Sequence, residues 1–163
     1  MDTITPNLID TISDLLKSGV REVFSTMLNM TTRPVTLMDF RAGGEMLVAG
    51  SVGFVGDVNG VVYIYVTASF ARTLASRMLG LPEAGLEGED LVNDVIGELT
   101  NMIVGSVKSR LCDSGSLCVL TIPSVVRGQN LSGWPVCSSE HHLLCLITAT
   151  EPILIELLIK PPK

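Results

Sequence analysis

Apolar residues recur every three or four positions from Asn7 to Met30, where Leu8, Ile12, Leu15, Leu16, Val20, Val23, Phe24, Met27 and Leu28 make one stripe. That spacing returns to one side of a helix, and Pro6 stands just ahead of it as an ordinary helix opener, so an amphipathic helix is predicted with a possible kink at Gly19. Pro34 opens a change of period. Val35 to Phe40, Met46 to Val55 and Val61 to Val66 are rich in Val, Ile, Tyr and Phe, the composition of strands. Asn59-Gly60 predicts a tight hairpin turn between the second and third, because both residues adopt positive φ cheaply. Gly43-Gly44 offers a turn for the hairpin before it.

Ser69 to Leu79 reads as a helix ending at Gly80, with Pro82 beyond it. The acidic stretch Glu83 to Asp90 favours the positive N-terminal end of the helix that follows, predicted from Leu91 to about Cys112. Leu117 to Ile122, Leu143 to Thr148 and Ile153 to Ile159 read as three more strands. Strands in two runs with helices grouped between them predict an α+β fold, an antiparallel sheet of about six strands packed against about three helices.

At 163 residues the chain is long enough to bury one core without staples, and one domain over residues 1–163 is expected. The formal charge of −6 and the 4% aromatic content argue against a nucleic-acid partner, which needs clustered cations and stacking rings. Although 47% of residues are hydrophobic, no apolar run approaches the roughly 20 residues of a membrane span. Met1 to Asp14 lacks the basic and apolar regions of a secretory signal, so a soluble, cytoplasmic protein is expected.

Cys112, Cys118, Cys137 and Cys145 form no C-x-x-C pair and no spacing typical of zinc, and are read as buried apolar residues. His141 and His142 lie between two of them. Neighbours on a strand point to opposite faces, however, and cannot easily share a metal.

The helix from Leu91 carries the candidate chemistry. At about 100° per residue, Leu91, Val92, Val95, Ile96, Leu99, Met102, Ile103 and Val107 fall on one broad arc facing the sheet. Asp94, Glu98, Asn101 and Gly105 return to the opposite side through spacings of three and four, and form an outward polar stripe. By itself, such a stripe is the usual solvated face of a helix.

Asp94-x-x-x-Glu98-x-x-Asn101, followed by Pro123 after the next strand, resembles the signature of the CheC/CheX chemotaxis phosphatases. The stretch Val52 to Val62 also resembles the hairpin that precedes the helices in that family, and the helix and strand order is similar over nearly the whole chain. The resemblance implies a CheC-like fold and a phosphatase acting on the aspartyl-phosphate of a CheY-like response regulator. Glu98 and Asn101 would be catalytic, Asn101 orienting the attacking water and Glu98 reaching a lysine in the regulator's active site. Asp94 would support Glu98 or be solvated, and Gly105 would leave room for the partner's loop. Pro123 is read as structural. No cofactor or metal of its own is implied, since Mg²⁺ is held by the phosphorylated partner.

Two departures from the family pattern are visible. Some members repeat the motif on the first helix, where this chain has Ser18-x-x-x-Glu22-x-x-Ser25, and Ser25 puts a hydroxyl where a carboxamide belongs. Glu22 and Ser25 are therefore read as a degenerate second site. The spacing from Asn101 to Pro123 is about one residue short, which the Asp113 to Ser116 loop can absorb. One site makes the chain more similar to CheX than to CheC, and CheX-like proteins are homodimers, an arrangement that would also cover exposed strand edges. The competing reading is a non-catalytic adaptor of the same fold that docks on a signalling protein. A small-molecule enzyme is disfavoured by the lack of a Gly-rich phosphate loop or a Ser/His/Asp arrangement.

Overall fold

A computed structural model describes residues 4–132 and 140–160, with side chains from Leu8 onward. The first helix, α1 (Ile4–Leu28), buries Ile9, Ile12, Leu16, Val20, Val23, Phe24 and Leu28, whereas Met27 at the margin of its stripe is exposed. The helix runs unbroken through Gly19. That glycine serves close packing instead of a kink: a Cβ there would stand 2.6 Å from Ser106 Oγ and 3.2 Å from the Ile103 carbonyl on another helix.

Among the described residues seven antiparallel strands form the sheet, one more than the pattern suggested: β1 (Arg33–Val35), β2 (Leu47–Gly56), β3 (Asn59–Thr67), β4 (Cys118–Leu120), β5 (Ser124–Gly128), β6 (Glu140–Ile147) and β7 (Pro152–Lys160). Their order is β1-β6-β7-β3-β2-β4, with β5 also pairing with β2. The stretch predicted as one strand over 117–122 is thus the short β4, followed after Pro123 by β5. Both lie along β2, whose Phe54 pairs with Leu120 and whose Gly50 pairs with Val125. The β2–β3 hairpin forms as expected, but Asp57 and Val58 make its turn and Asn59-Gly60 open β3. Asn59 instead braces the turn, its side chain donating to the Gly56 carbonyl and accepting from the Gly56 amide.

Two helices join the strand runs. In α2 (Ala68–Leu79) the Thr67 hydroxyl accepts from the Phe70 amide at the N-terminus, and Gly80 closes the C-terminus at φ 66° with its N–H donating to Ser76. Glu89 and Asp90 occupy the first turn of α3 (Gly88–Asp113), where the helix dipole favours them. All three helices share one face of the sheet. Their apolar sides meet Val48, Val52, Val62, Ile64, Ile155 and Leu157, which recur at every second strand position.

The tightest seat lies between α3 and β2. A Cβ at Gly50 would overlap Thr100 Oγ1 and come within 3.3 Å of Ile96 Cγ2. Thr100 is itself buried and spends its hydroxyl on the Ile96 carbonyl one turn back, at 2.7 Å.

Where the pattern predicts a strand over Val35–Phe40 and a hairpin at Gly43-Gly44, β1 is only three residues long and pairs with β6. Residues 36–46 leave the sheet and cover its second face. There Phe40 packs with Ala49, Tyr65, Cys145 and Leu154, and the Arg41 guanidinium lies 5.0 Å from the Tyr65 ring centre. Arg41 Nη1 meets Glu156 Oε2 at 2.9 Å, the Tyr65 hydroxyl donates to Glu156 Oε1 at 2.8 Å, and His141 Nε2 lies 2.7 Å from Glu156 Oε2. Glu156 is 1% exposed, so this carboxylate is held by its partners and not by water. His141 and His142 lie in adjacent positions of β6, and His141 is thereby committed to the second face. Cys118 and Cys145 are buried and Cys112 is half-buried, while Cys137 lies outside the described residues.

Gly50→Ala should destabilise the fold by about 1–3 kcal/mol in urea unfolding, because Thr100 is wedged between β2 and its own helix and cannot move aside without moving α3. Burial raises the Glu156 pKa, but the Tyr65, Arg41 and His141 contacts together outweigh it and bring it below the ordinary 4.5. A carboxyl depressed in the folded state stabilises at pH values above its unfolded pKa, and that contribution is lost as pH falls through the folded one. Wild type should therefore lose stability more steeply than Glu156→Gln as pH drops from about 5 to about 3. Parallel losses in an acid series of urea melts would clear Glu156 of this role.

Candidate functional site

The outward face of α3 exists because its inward face is so fully used. Val92, Val95, Ile96, Leu99, Ile103, Val104, Val107 and Leu111 are all buried, and the helical repeat then turns residues 94, 98, 101 and 105 away from the core. Asp94 and Glu98 are exposed, whereas Asn101 and Gly105 are half-buried. Among the described residues none of these three polar side chains has a hydrogen-bond or ion-pair partner. A Cβ at Gly105 would meet nothing within 4 Å, so the helix surface beyond Asn101 is open.

Beside this stripe runs an open groove of about 320 Å³, lined by Asn93, Asp94, Gly97, Glu98, Pro123 and Val125. Its opposite wall is the entry to β5, held against β2 by the pairing of Gly50 with Val125. Gly97 faces that wall, and a Cβ there would lie 3.5 Å from Val125 and 3.7 Å from Pro123, an ordinary contact distance. The fold therefore brings Asp94, Glu98 and Pro123 together across about 30 residues of chain. Asn101, one turn along α3, sits past the end of the groove and not in its wall.

One structural pair at this groove is not marked by the polar stripe. Arg127 on β5 donates from Nε to Asn93 Oδ1 at 2.6 Å and lies 3.7 Å from Glu89 Oε2, so it ties the strand wall to the first turns of α3. A lone cation in the run Val125-Val126-Arg127 is the only trace of it in the sequence. Arg127 is engaged, while the carboxylates of Asp94 and Glu98 are not. The groove thus presents negative charge to whatever approaches it, with the Asn101 carboxamide just past its end.

Glu22 and Ser25 are exposed on α1, and neither lines this groove. Among the described residues no group of three or more His, Cys, Asp or Glu is placed to hold a metal. No described helix is long and apolar enough to cross a membrane. A carboxylate and a carboxamide one turn apart can contact a cation and orient a water.

Comparison with known proteins finds a matching family and similar folds. The family model described as chemotaxis phosphatase CheX matches residues 48–146, from β2 through α3 to β6. The chemotaxis protein CheX of Vibrio vulnificus superposes with a TM-score of 0.77 at 23% identity, covering 91% of this chain and 96% of that one. A CheC-like superfamily protein from Shewanella sp. PV-4 gives 0.77 at 23% identity over 99% and 100%. The CheX of Borrelia burgdorferi, in a complex with CheY, BeF3 and Mg²⁺, gives 0.66 at 18% identity over 91% and 97%. No curated protein sequence is a significant match.

Proposed function

The chain belongs to the CheX chemotaxis phosphatase family, and from that premise we propose that it hydrolyses the aspartyl-phosphate of a CheY-like response regulator through Glu98 and Asn101. The observation that carries the reading is the pair itself: two unpartnered side chains one turn apart on an exposed helix face, beside a groove that a partner's loop can enter. The CheY in the Borrelia burgdorferi complex supports a partner of that class.

In this reading the regulator brings the acyl phosphate and its Mg²⁺, and the phosphatase needs no cofactor of its own. Its contribution is position. The Asn101 carboxamide accepts from and donates to one water, holding its oxygen in line with phosphorus. Water forms the new P–O bond, the bond to the aspartyl oxygen breaks, and the regulator's carboxylate is restored as inorganic phosphate leaves. Glu98 pairs with a lysine of the regulator, to which an acidic groove is complementary. Asp94 adds to that negative field, and the open surface at Gly105 admits the partner's backbone. The Glu22 and Ser25 pair is inactive because a serine hydroxyl is shorter than a carboxamide and lacks its paired donor and acceptor. Such a protein meets its partner in the cytoplasm.

The homodimer fits one edge of the sheet. Val55 and Val119 are cross-strand partners that are both exposed, and with Leu117, Val126 and the 87% exposed Ile122 they put apolar side chains along β4 and β5. A second subunit would cover them.

Mixed with a phosphorylated CheY-like regulator in Mg²⁺, the protein should accelerate phosphate release, and Asn101→Ala should lower the maximal rate by about 10²-fold with binding retained. Glu98→Ala should act chiefly by weakening binding. Measurable binding with no acceleration by wild type would leave the adaptor reading instead. Sedimentation velocity should show a dimer at micromolar concentration; a monomer throughout would remove the second subunit from this account.

A further inference from the structure

A cavity of about 470 Å³ opens between α2, the link from α1 to β1 and the turn from β6 to β7. It shares no lining residue with the α3 groove. Phe70 and Ile147 give it apolar walls, and Arg33, Arg77 and Glu151 put two cations and one carboxylate around it. Two positive charges against one stand out in a chain whose formal charge is −6.

Neither cation is neutralised within the described residues. The Arg33 side chain has no hydrogen bond or ion pair there. Arg77 uses only Nη1, which donates to the carbonyls of Leu28 and Asn29 at 3.2 and 3.4 Å and so closes the C-terminus of α1. Its remaining N–H groups are left over. The Glu151 amide and carbonyl are engaged by Thr148, but its carboxylate forms no ion pair with either arginine.

Thr32 supplies an independent observation. It lines the same cavity, is 4% exposed, and its Oγ1 is buried without a hydrogen-bond partner. Buried hydroxyls are almost always satisfied, so an orphan beside a cavity indicates a missing partner there.

We infer that this cavity binds a small organic oxyanion, a carboxylate or phosphate monoester with a compact apolar body. The volume lies within the range of small-ligand sites. Guanidinium groups match the planar or tetrahedral oxygens of such a group through charge-assisted hydrogen bonds. The Thr32 hydroxyl donates to the ligand as well, and Phe70 and Ile147 cover its apolar part. Glu151 limits the net charge of the walls to +1, which suits one anionic group better than several. This inference is independent of the phosphatase reading, because the two sites share no residue.

The probes are phenyl phosphate and benzoate, with inorganic phosphate as the control that lacks a body, titrated into the full-length ¹⁵N-labelled protein. Saturable amide shifts should appear around Thr32, Phe70 and Ile147, and inorganic phosphate should bind about tenfold more weakly than phenyl phosphate. Arg33→Gln should weaken the better-bound probe about tenfold or more without changing the unfolding midpoint, since Arg33 has no internal partner to lose. Thr32→Val should keep or raise thermal stability by removing an orphan hydroxyl, yet weaken binding of the same probe. Absence of saturable shifts with both organic probes would overturn the inference. So would equal affinity for inorganic phosphate, or binding unchanged in both variants.

Discussion

α3 approaches β2 most closely where Gly50 has no side chain and Thr100 fills the space. Everything that follows along α3 takes its bearing from that contact. Thr100 is the residue before Asn101, so the seat of one determines the direction of the other. The other side of the helix is pinned in the same way, with Gly19 of α1 letting Ser106 and Ile103 approach its backbone. Between two glycine-lined contacts the helix has little freedom to roll, and its polar stripe keeps one orientation toward solvent.

The two faces of the sheet are stabilised by different physics. On the helical face, branched aliphatic side chains from alternating strand positions meet three amphipathic helices, and burial of apolar area supplies the cohesion. On the second face, a carboxylate in the middle of an apolar strand is surrounded by a guanidinium, a phenol and an imidazole. The cost of burying that charge is offset only while these partners stay in place. That requirement gives residues 36–46 a defined course over the sheet, since Arg41 must reach Glu156 and lie along Tyr65.

The groove beside α3 shows a division between groups that are finished and groups that are not. Arg127 and Asn93 bond to each other and hold the walls together, whereas Glu98, Asp94 and Asn101 end in no partner among the described residues. A protein whose chemistry is shared with a partner is expected to leave its functional groups in that state. The groove is open and acidic, and the chain belongs to the CheX chemotaxis phosphatase family.

Much of this was already determined by local sequence. Helix periodicity, the Gly80 stop, the acidic start of α3 and the β2–β3 pairing depend on residues close together in the chain, and so does the outward stripe of Asp94, Glu98 and Asn101. Tertiary structure alone decided that β1 pairs with β6, that Asn59-Gly60 lies beyond the turn, and that Gly19 and Gly50 serve helix packing. It also decided that Pro123 and Val125 close a groove against Glu98, and that Glu156, a single acid in the run Ile153 to Ile159, has three partners waiting. These last features join residues from 15 to 115 positions apart. Periodicity reports which side of an element a residue occupies, but only the packed chain sets what stands opposite it.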